Sequence, residues 1–354
     1  MKKTNYFWVV GVVLVVILAI ALSTSNKTSK ITIGAIIPQT GFGAYWGASV
    51  LKGLTMAKDD LIALYGEENV KIVIEDSQSS PTGAVSAANK LLNFDRVNAI
   101  YTEFSGPSNA VSPVVRAAGK VLVYSAFNEK ILEDNPHSVK TFVSHEVACE
   151  DFARKYLDPS KKVIILSMIS DAGPYCLKGL EEVVPAENIK DIEGFTGTDF
   201  RTLLLQNKAF DADYIIPLMY EDSAYALFKQ KGELGITTKI FCYKEDCMTE
   251  KNLENIPAEY VRGSLYFSIP IDAAFEERVS ARYPGVTEGE MQAIANAYQS
   301  AMLLGVGLVE CQDRTGECVS RKISEIKDPK YFTYRNGHMI GRMLGSDVVI
   351  GEME

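Results

Sequence analysis

Histidine and tryptophan are scarce: the chain of 354 residues has three histidines and two tryptophans. His137, His145 and His338 are scattered, and the six cysteines do not fall at zinc-knuckle spacings, which argues against a metal centre. A basic stripe is also missing. The net charge is −9, and residues 1–30 contribute Lys2, Lys3, Lys27 and Lys30 with no acid, so the remainder is more acidic still. That excludes nucleic acid as the expected partner. There is no G-x-S-x-G elbow, no H-E-x-x-H and no Walker-type loop, so no enzyme constellation emerges. An apolar fraction of 47% with 23% charge excludes both a disordered chain and a polytopic membrane protein.

What is present begins with a compartment signal. Lys2 and Lys3 precede an apolar, uncharged run from Tyr6 to Leu22, followed by the polar stretch STSNKTSK. A basic flank before such a run is an export signal. Ala21-Leu22-Ser23 offers a cleavage site, and the run length also suits an uncleaved anchor. No cysteine lies nearby, which excludes a lipoprotein anchor. Residues 31–354 are therefore expected outside the cytoplasmic membrane, with N-terminal membrane association, and Lys2 and Lys3 agree with that orientation. The cysteines suit an oxidising compartment. Cys311 and Cys318 bracket a turn-like segment, Cys242 and Cys247 bracket YKED, and Cys149 and Cys176 remain, so even pairing is open.

From residue 31 strands and helices alternate. ITIGAII, VKIVIED, VNAIYT and VLVYS read as buried strands with amphipathic helices between them. Ser80-Pro81 is a helix start, with a capping hydroxyl and proline at the first helical position. The pattern restarts after residue 145, with strands expected at 163–169, 189–195, 213–219, 239–243 and 263–269. A helix over 289–310 and a hairpin with Asn336-Gly337 at its tip follow. Two α/β units with parallel sheets are thus expected, without a linker between them.

Open parallel sheets bind ligands at the carboxyl ends of their strands. After the first strand, Gly41, Gly43 and Gly47 superficially suggest a dinucleotide loop. Their spacing is wrong, and Glu75 and Asp76 come too late to serve as the ribose acid, so no cofactor is expected. The better reading is a loop presenting Tyr45 and Trp46 to a cleft. Ser105 opens a helix, where its hydroxyl serves either as a plain cap or at an anion site. Ala126 and Asn128 follow the fourth strand, while Tyr175, Tyr220 and the Lys244-Glu245-Asp246 run follow strands of the second unit.

Taken in order, these segments resemble the solute-binding proteins of ABC importers with the type I periplasmic binding protein fold, and among them the branched-chain amino acid receptors. The resemblance covers about 31–345. It rests on the opening strand with its Pro-x-Thr-Gly loop, on EDSQSSPTGAVSAANKLL, on TGTDFRTLLLQNKAFDADYIIPLMY and on YRNGHMIG. It implies two doubly wound lobes joined by three crossings, near 144–147, 268–270 and 341. Lobe 1 would hold 31–145 and 269–340, lobe 2 would hold 146–268 and 341–354, and 1–30 would be the signal or anchor. By position, Trp46 falls over the ligand and Ser105 on its carboxylate. Ala126 falls on a backbone contact, Asn128 replaces a threonine near the carboxylate, Tyr175 and Tyr220 line the second lobe, and Glu245 falls near the acid that pairs the ammonium, where an apparent one-residue insertion also admits Lys244 or Asp246. Glu103 is an odd neighbour for a bound carboxylate. The disulfide common in close relatives has Ser79 and Phe104 in its places. The implied function is extracytoplasmic capture of an amino acid or similar small polar solute for an ABC permease, without catalysis. The alternative is a ligand-sensing ectodomain that signals through a membrane partner.

Overall fold

A computed structural model describes residues 30–142, 144–168, 172–195, 197–219, 221–247 and 254–353. The expected signal or anchor therefore lies outside the described residues, except for Lys30. Among the described residues no helix is long and apolar enough to cross a membrane.

The chain alternates as the sequence predicts. β1 (Ile31–Ile37), α1 (Ala44–Tyr65), β2 (Val70–Asp76), α2 (Pro81–Asn93), β3 (Ala99–Glu103), α3 (Ser105–Ala117) and β4 (Val121–Ser125) come first. A short helix α4 (Lys130–Asp134) and β5 (Ser138–Lys140) complete this run. The second run comprises α5 (His145–Tyr156), β6 (Val163–Ser167), α6 (Gly173–Glu181), β7 (Ile189–Glu193), α7 (Arg201–Asn207), β8 (Tyr214–Leu218), α8 (Glu221–Glu233), β9 (Lys239–Tyr243), α9 (Lys244–Cys247), α10 (Ala258–Val261) and β10 (Leu265–Ser268). Then follow α11 (Ala273–Arg282), α12 (Glu288–Glu310), α13 (Gly316–Ser324), β11 (His338–Ile340), β12 (Met343–Gly345) and β13 (Val349–Glu352).

The strands form two sheets, β11-β12-β5-β4-β3-β1-β2 and β13-β10-β9-β8-β6-β7. Pairing is parallel in the body of each sheet and antiparallel only for β11 with β12 and for β10 with β13. β1, β3, β4, β6 and β8 are almost wholly buried, as continuous apolar runs covered by helices on both faces must be. Each buried isoleucine or leucine there contributes about 2 kcal/mol of transfer free energy. β12 still pairs within the first sheet, so the last passage between sheets comes after Gly345.

Local chemistry fixes the elements that carry the cleft. Ser80 caps α2 through its hydroxyl to the Gly83 amide, at 3.1 Å, with Pro81 at the first helical position. Asp76, weighed above as a ribose acid, instead pins the loop after β1. Its carboxylate accepts from the Gln39 and Thr40 amides at 2.9 and 3.1 Å and from the Thr40 hydroxyl at 2.6 Å. Thr287 and Glu290 cap α12 reciprocally. This helix is buried nearly all round, and its buried amides tie the segments that run between sheets. Gln292 donates to the Ile269 carbonyl at 2.8 Å, Gln299 donates to the Thr141 carbonyl at 3.5 Å, and Gln299 accepts from the Thr333 amide at 3.3 Å.

The terminal hairpin differs from expectation. Its reversal lies at Gly341-Arg342, between β11 and β12, with Gly341 at φ 58°. Asn336-Gly337 forms an earlier turn, where Asn336 takes φ 55° and the Gly337 amide bonds the Tyr334 carbonyl at 3.0 Å. Asn-Gly satisfies a turn needing positive φ wherever it falls, so the dipeptide marked a turn but not the hairpin tip. The six cysteines pair as Cys149–Cys176, Cys242–Cys247 and Cys311–Cys318.

Candidate functional site

The carboxyl ends of β3 and β4 face those of β6 and β9 across the space between the sheets. On the first side β3 ends in Glu103, which is 2% exposed. Phe104 then takes φ 65°, a backbone conformation costly for a bulky residue, and this turns the chain sharply into α3. Ser105 is thereby the first helical residue. Its hydroxyl is buried and has no hydrogen-bond partner among the described residues, so it does not act as the plain cap weighed above.

Trp46, in the first turn of α1, donates its indole N–H to Glu103 Oε2 at 3.1 Å, and the Tyr101 hydroxyl donates to Glu103 Oε1. Burial pushes the Glu103 carboxyl up to about 7, while bonds from Tyr101, Trp46 and Ser125 pull it back. Ser125, at the end of β4, takes a bond from the Asn296 amide of α12, whose Oδ1 is buried without a partner. The expected residues after β4 are close by in sequence. Ala126 is buried, and buried Asn128 accepts from the Lys130 amide at 2.9 Å, so part of its polar capacity organises α4.

On the second side, β9 runs directly into α9 and so delivers Glu245. Both carboxylate oxygens of Glu245 are inaccessible and lack a hydrogen bond of good geometry to a described residue. Burial pushes this carboxyl up to about 8. Glu288 raises it further, and Tyr243 and Lys244 pull it back. Lys244 is itself held by Glu288 at the start of α12, with Nζ 2.5 Å from Oε1, a contact that joins the two sides at the rim. Tyr175, in α6, lies within electrostatic range of the buried Tyr124 phenol of β4, which burial, Glu129 and Tyr175 all push up. Tyr220 lies outside the described residues, so its expected place on this wall is not described.

Three groups that sequence reasoning missed complete the arrangement. Tyr334 is buried, its hydroxyl has no hydrogen-bond partner among the described residues, and burial, Glu245 and Glu103 together raise it well above its ordinary value. It therefore lies within the fields of both carboxyls. Asn296 and Tyr101 are the others; no local pattern marks any of the three, since each reaches the site only through packing. Aromatic rings form a floor between the sides. Phe127 stacks on His145 with centroids 4.0 Å apart, and Phe142 meets Tyr243 edge-on at 5.9 Å. Burial and the charge of Lys140 depress His145 to about 3, so it is neutral. A cavity of about 470 Å³ lies elsewhere in the first lobe, among Asp272, Phe275, Arg278, Tyr298 and Lys330, and reaches this site only at Tyr334.

The arrangement gathers acceptors and hydroxyls after the strands of both sheets, with no nucleophile paired to a base among the described residues. The chain is 25% identical over 267 residues to an amino acid binding protein of Pseudomonas aeruginosa, covering 70% of this chain and 71% of that one. Among solved structures it is similar to a leucine binding protein from Thermotoga maritima, with TM-score 0.74, 20% identity, and 92% and 95% of the two chains covered. It is equally similar in fold to an ABC transporter solute-binding protein from R. palustris in complex with 4-hydroxybenzoate, with TM-score 0.74, 21% identity, and 92% and 93% covered. The family described as periplasmic binding protein matches residues 30–342, nearly the whole of the described chain. With two mostly parallel sheets built from alternating strands and helices, this chain belongs to the periplasmic binding protein family.

Proposed function

We propose that the protein captures a small polar solute carrying an ammonium group, an amino acid or a similar molecule, between its lobes outside the cytoplasmic membrane and delivers it to an ABC permease. The observation that carries this reading is the pair of unsatisfied groups at facing strand ends, the Ser105 hydroxyl of the first lobe and the Glu245 carboxylate of the second. Buried polar groups are normally partnered, and a ligand touching both lobes supplies the missing partners. The same double contact gives the solute a higher affinity for the closed form, which is what drives closure. The relatives add support, since one is named for amino acids, one for leucine, and one holds 4-hydroxybenzoate. Trp46, Ala126, Asn128, Tyr175 and Tyr220 complete the proposed lining.

Thermal-shift and calorimetric titration against amino acids, amides, amines and small organic acids tests this. A solute at a hundred times its dissociation constant adds about 2.7 kcal/mol of stability, an easily read shift. Glu245→Ala weakens the bound solute at least about tenfold, as loss of a buried charged partner does. Unchanged affinity in that variant removes Glu245 from the site, and the absence of any shift across the panel refutes solute capture.

A further inference from the structure

The polar groups around the cleft are unbalanced in a direction that identifies the ligand. One carboxyl comes from each lobe, Glu103 at the end of β3 and Glu245 in α9. Glu103 is buried, Glu245 is half-buried with both carboxylate oxygens inaccessible, and the Tyr334 hydroxyl feels both. Around Glu103 the described partners are Tyr101, Trp46 and Ser125, all neutral. Around Glu245 the charged neighbours are Glu288 and Lys244, and Lys244 is already paired with Glu288. Lys140, whose charge acts on His145, is held by Glu129 at 3.8 Å and by the Phe142 carbonyl at 2.8 Å. The unsatisfied atoms lean the same way. Asn296 Oδ1 accepts only, the Glu245 oxygens accept only once the carboxyl is ionised, and Ser105 and Tyr334 carry hydroxyls that can accept as well as donate.

Ser105 stands two residues beyond Glu103, and none of the described groups that act on Glu103 is a cation, so a ligand carboxylate bound at Ser105 and reaching Glu103 would meet no positive charge there. Like charges in such a place repel, or force one group to stay protonated. An ammonium group there meets the opposite situation, with an acid from each lobe and acceptors around it.

Resting on the reading that a solute binds between the lobes, we propose that this cleft takes a small organic cation with donors at both ends, of the alkyl diamine class, and discriminates against amino acids through Glu103. One ammonium lies with Glu103 and Ser105, the other with Glu245, and the alkyl chain lies against the aromatic floor. Because burial holds the two carboxyls up near 7 and 8, a bound dication draws protons off them, and affinity rises as pH is raised through that range.

The test uses the purified full-length chain and matched probes. These are 1,3-diaminopropane, 1,4-diaminobutane and 1,5-diaminopentane, each against the amino acid in which a carboxylate replaces one ammonium-bearing carbon, with leucine alongside. Calorimetry is expected to give at least one diamine an affinity tenfold or more above its matched amino acid. Proton release should follow the enthalpy change across buffers, and Glu103→Gln should lose at least tenfold for the diamine. The comparison on unsubstituted protein stands even if the variant does not fold. Binding of leucine or of a matched amino acid as tightly as the diamine overturns the proposal and leaves solute capture intact. Silence from every probe overturns the proposal, and silence across the wider panel as well overturns solute capture with it.

Discussion

The two lobes pack their cleft-side helices with the same device and secure it differently. In the first lobe α1 and α12, of 22 and 23 residues, approach backbone to backbone at Gly53, where an added Cβ would lie 2.3 Å from the Ile294 carbonyl oxygen. In the second, α5 and α6, of 12 and 9 residues, meet at Gly179, where an added Cβ would lie 2.3 Å from the Glu146 carbonyl oxygen. The short pair has less length over which to bury apolar surface, and Cys149–Cys176 joins α5 to α6. A covalent link replaces area where helices are short. The cleft walls differ in parallel. Glu103 of the first lobe is already bonded by Tyr101 and Trp46, whereas Glu245 of the second is eased by Tyr243, Lys244 and its own backbone, without a bond of good geometry among the described residues. One wall is bonded within itself, and under the proposed function the other is completed by the solute.

Removing the second-lobe staple has the largest expected effect. Cys149→Ala with Cys176→Ala opens a loop with sequence separation 27, costing about 3 kcal/mol on chain-entropy grounds. The corresponding change at Cys311 and Cys318, separation 7, costs less, near 2 kcal/mol. Denaturant unfolding measures both, and the reverse order would break the contrast between the lobes.

Gly53→Ala and Gly179→Ala each cost about 2 to 3 kcal/mol by overpacking. Their coupling separates them. Loss of Cys149–Cys176 lets α5 and α6 part, so it relieves Gly179→Ala in a double-mutant cycle and leaves Gly53→Ala unchanged.

The formed wall predicts a pH signature. Glu103 keeps its proton up to about 7 when folded and has an ordinary value of 4.5 when unfolded. Between those values the folded state binds the extra proton, so stability falls as pH rises. His145, depressed to about 3, acts in the opposite sense below its ordinary 6.5. Comparing the chain with Glu103→Gln cancels the histidine, and the variant should gain about 2 kcal/mol on the parent between pH 5 and 8 in denaturant unfolding. Parallel profiles would mean that the Glu103 carboxyl is not held protonated. The smallest effect is at the rim. Lys244→Ala removes a partly exposed ion pair to Glu288 and weakens solute binding by less than about fivefold in calorimetry.

Much of the fold is legible in the sequence because its strands are continuous apolar runs, and a run such as ITIGAII permits little but a fully buried strand. Caps read equally well, as at Ser80-Pro81, because their chemistry is local. β5 escaped notice because Ser138–Lys140 is three residues long and carries no apolar run. At the site, Trp46, Ser105 and Glu245 are legible as residues that follow strands. Asn296 and Tyr334 are not, since one sits mid-helix and the other in a loop, and neither follows a strand of the alternating pattern.

By itself, then, the sequence determined the alternation of strand and helix, the capping and the class of the fold, since each depends on neighbours within a turn or two along the chain. Only the tertiary structure decided the character of the cleft. Whether Glu103 is a solvated loop acid or a buried carboxyl within reach of Tyr334, which also feels Glu245, depends on residues at 46, 101, 245, 296 and 334 being brought together. Burial and charge at that point are sums over groups distant in sequence, and no local pattern of residues encodes them.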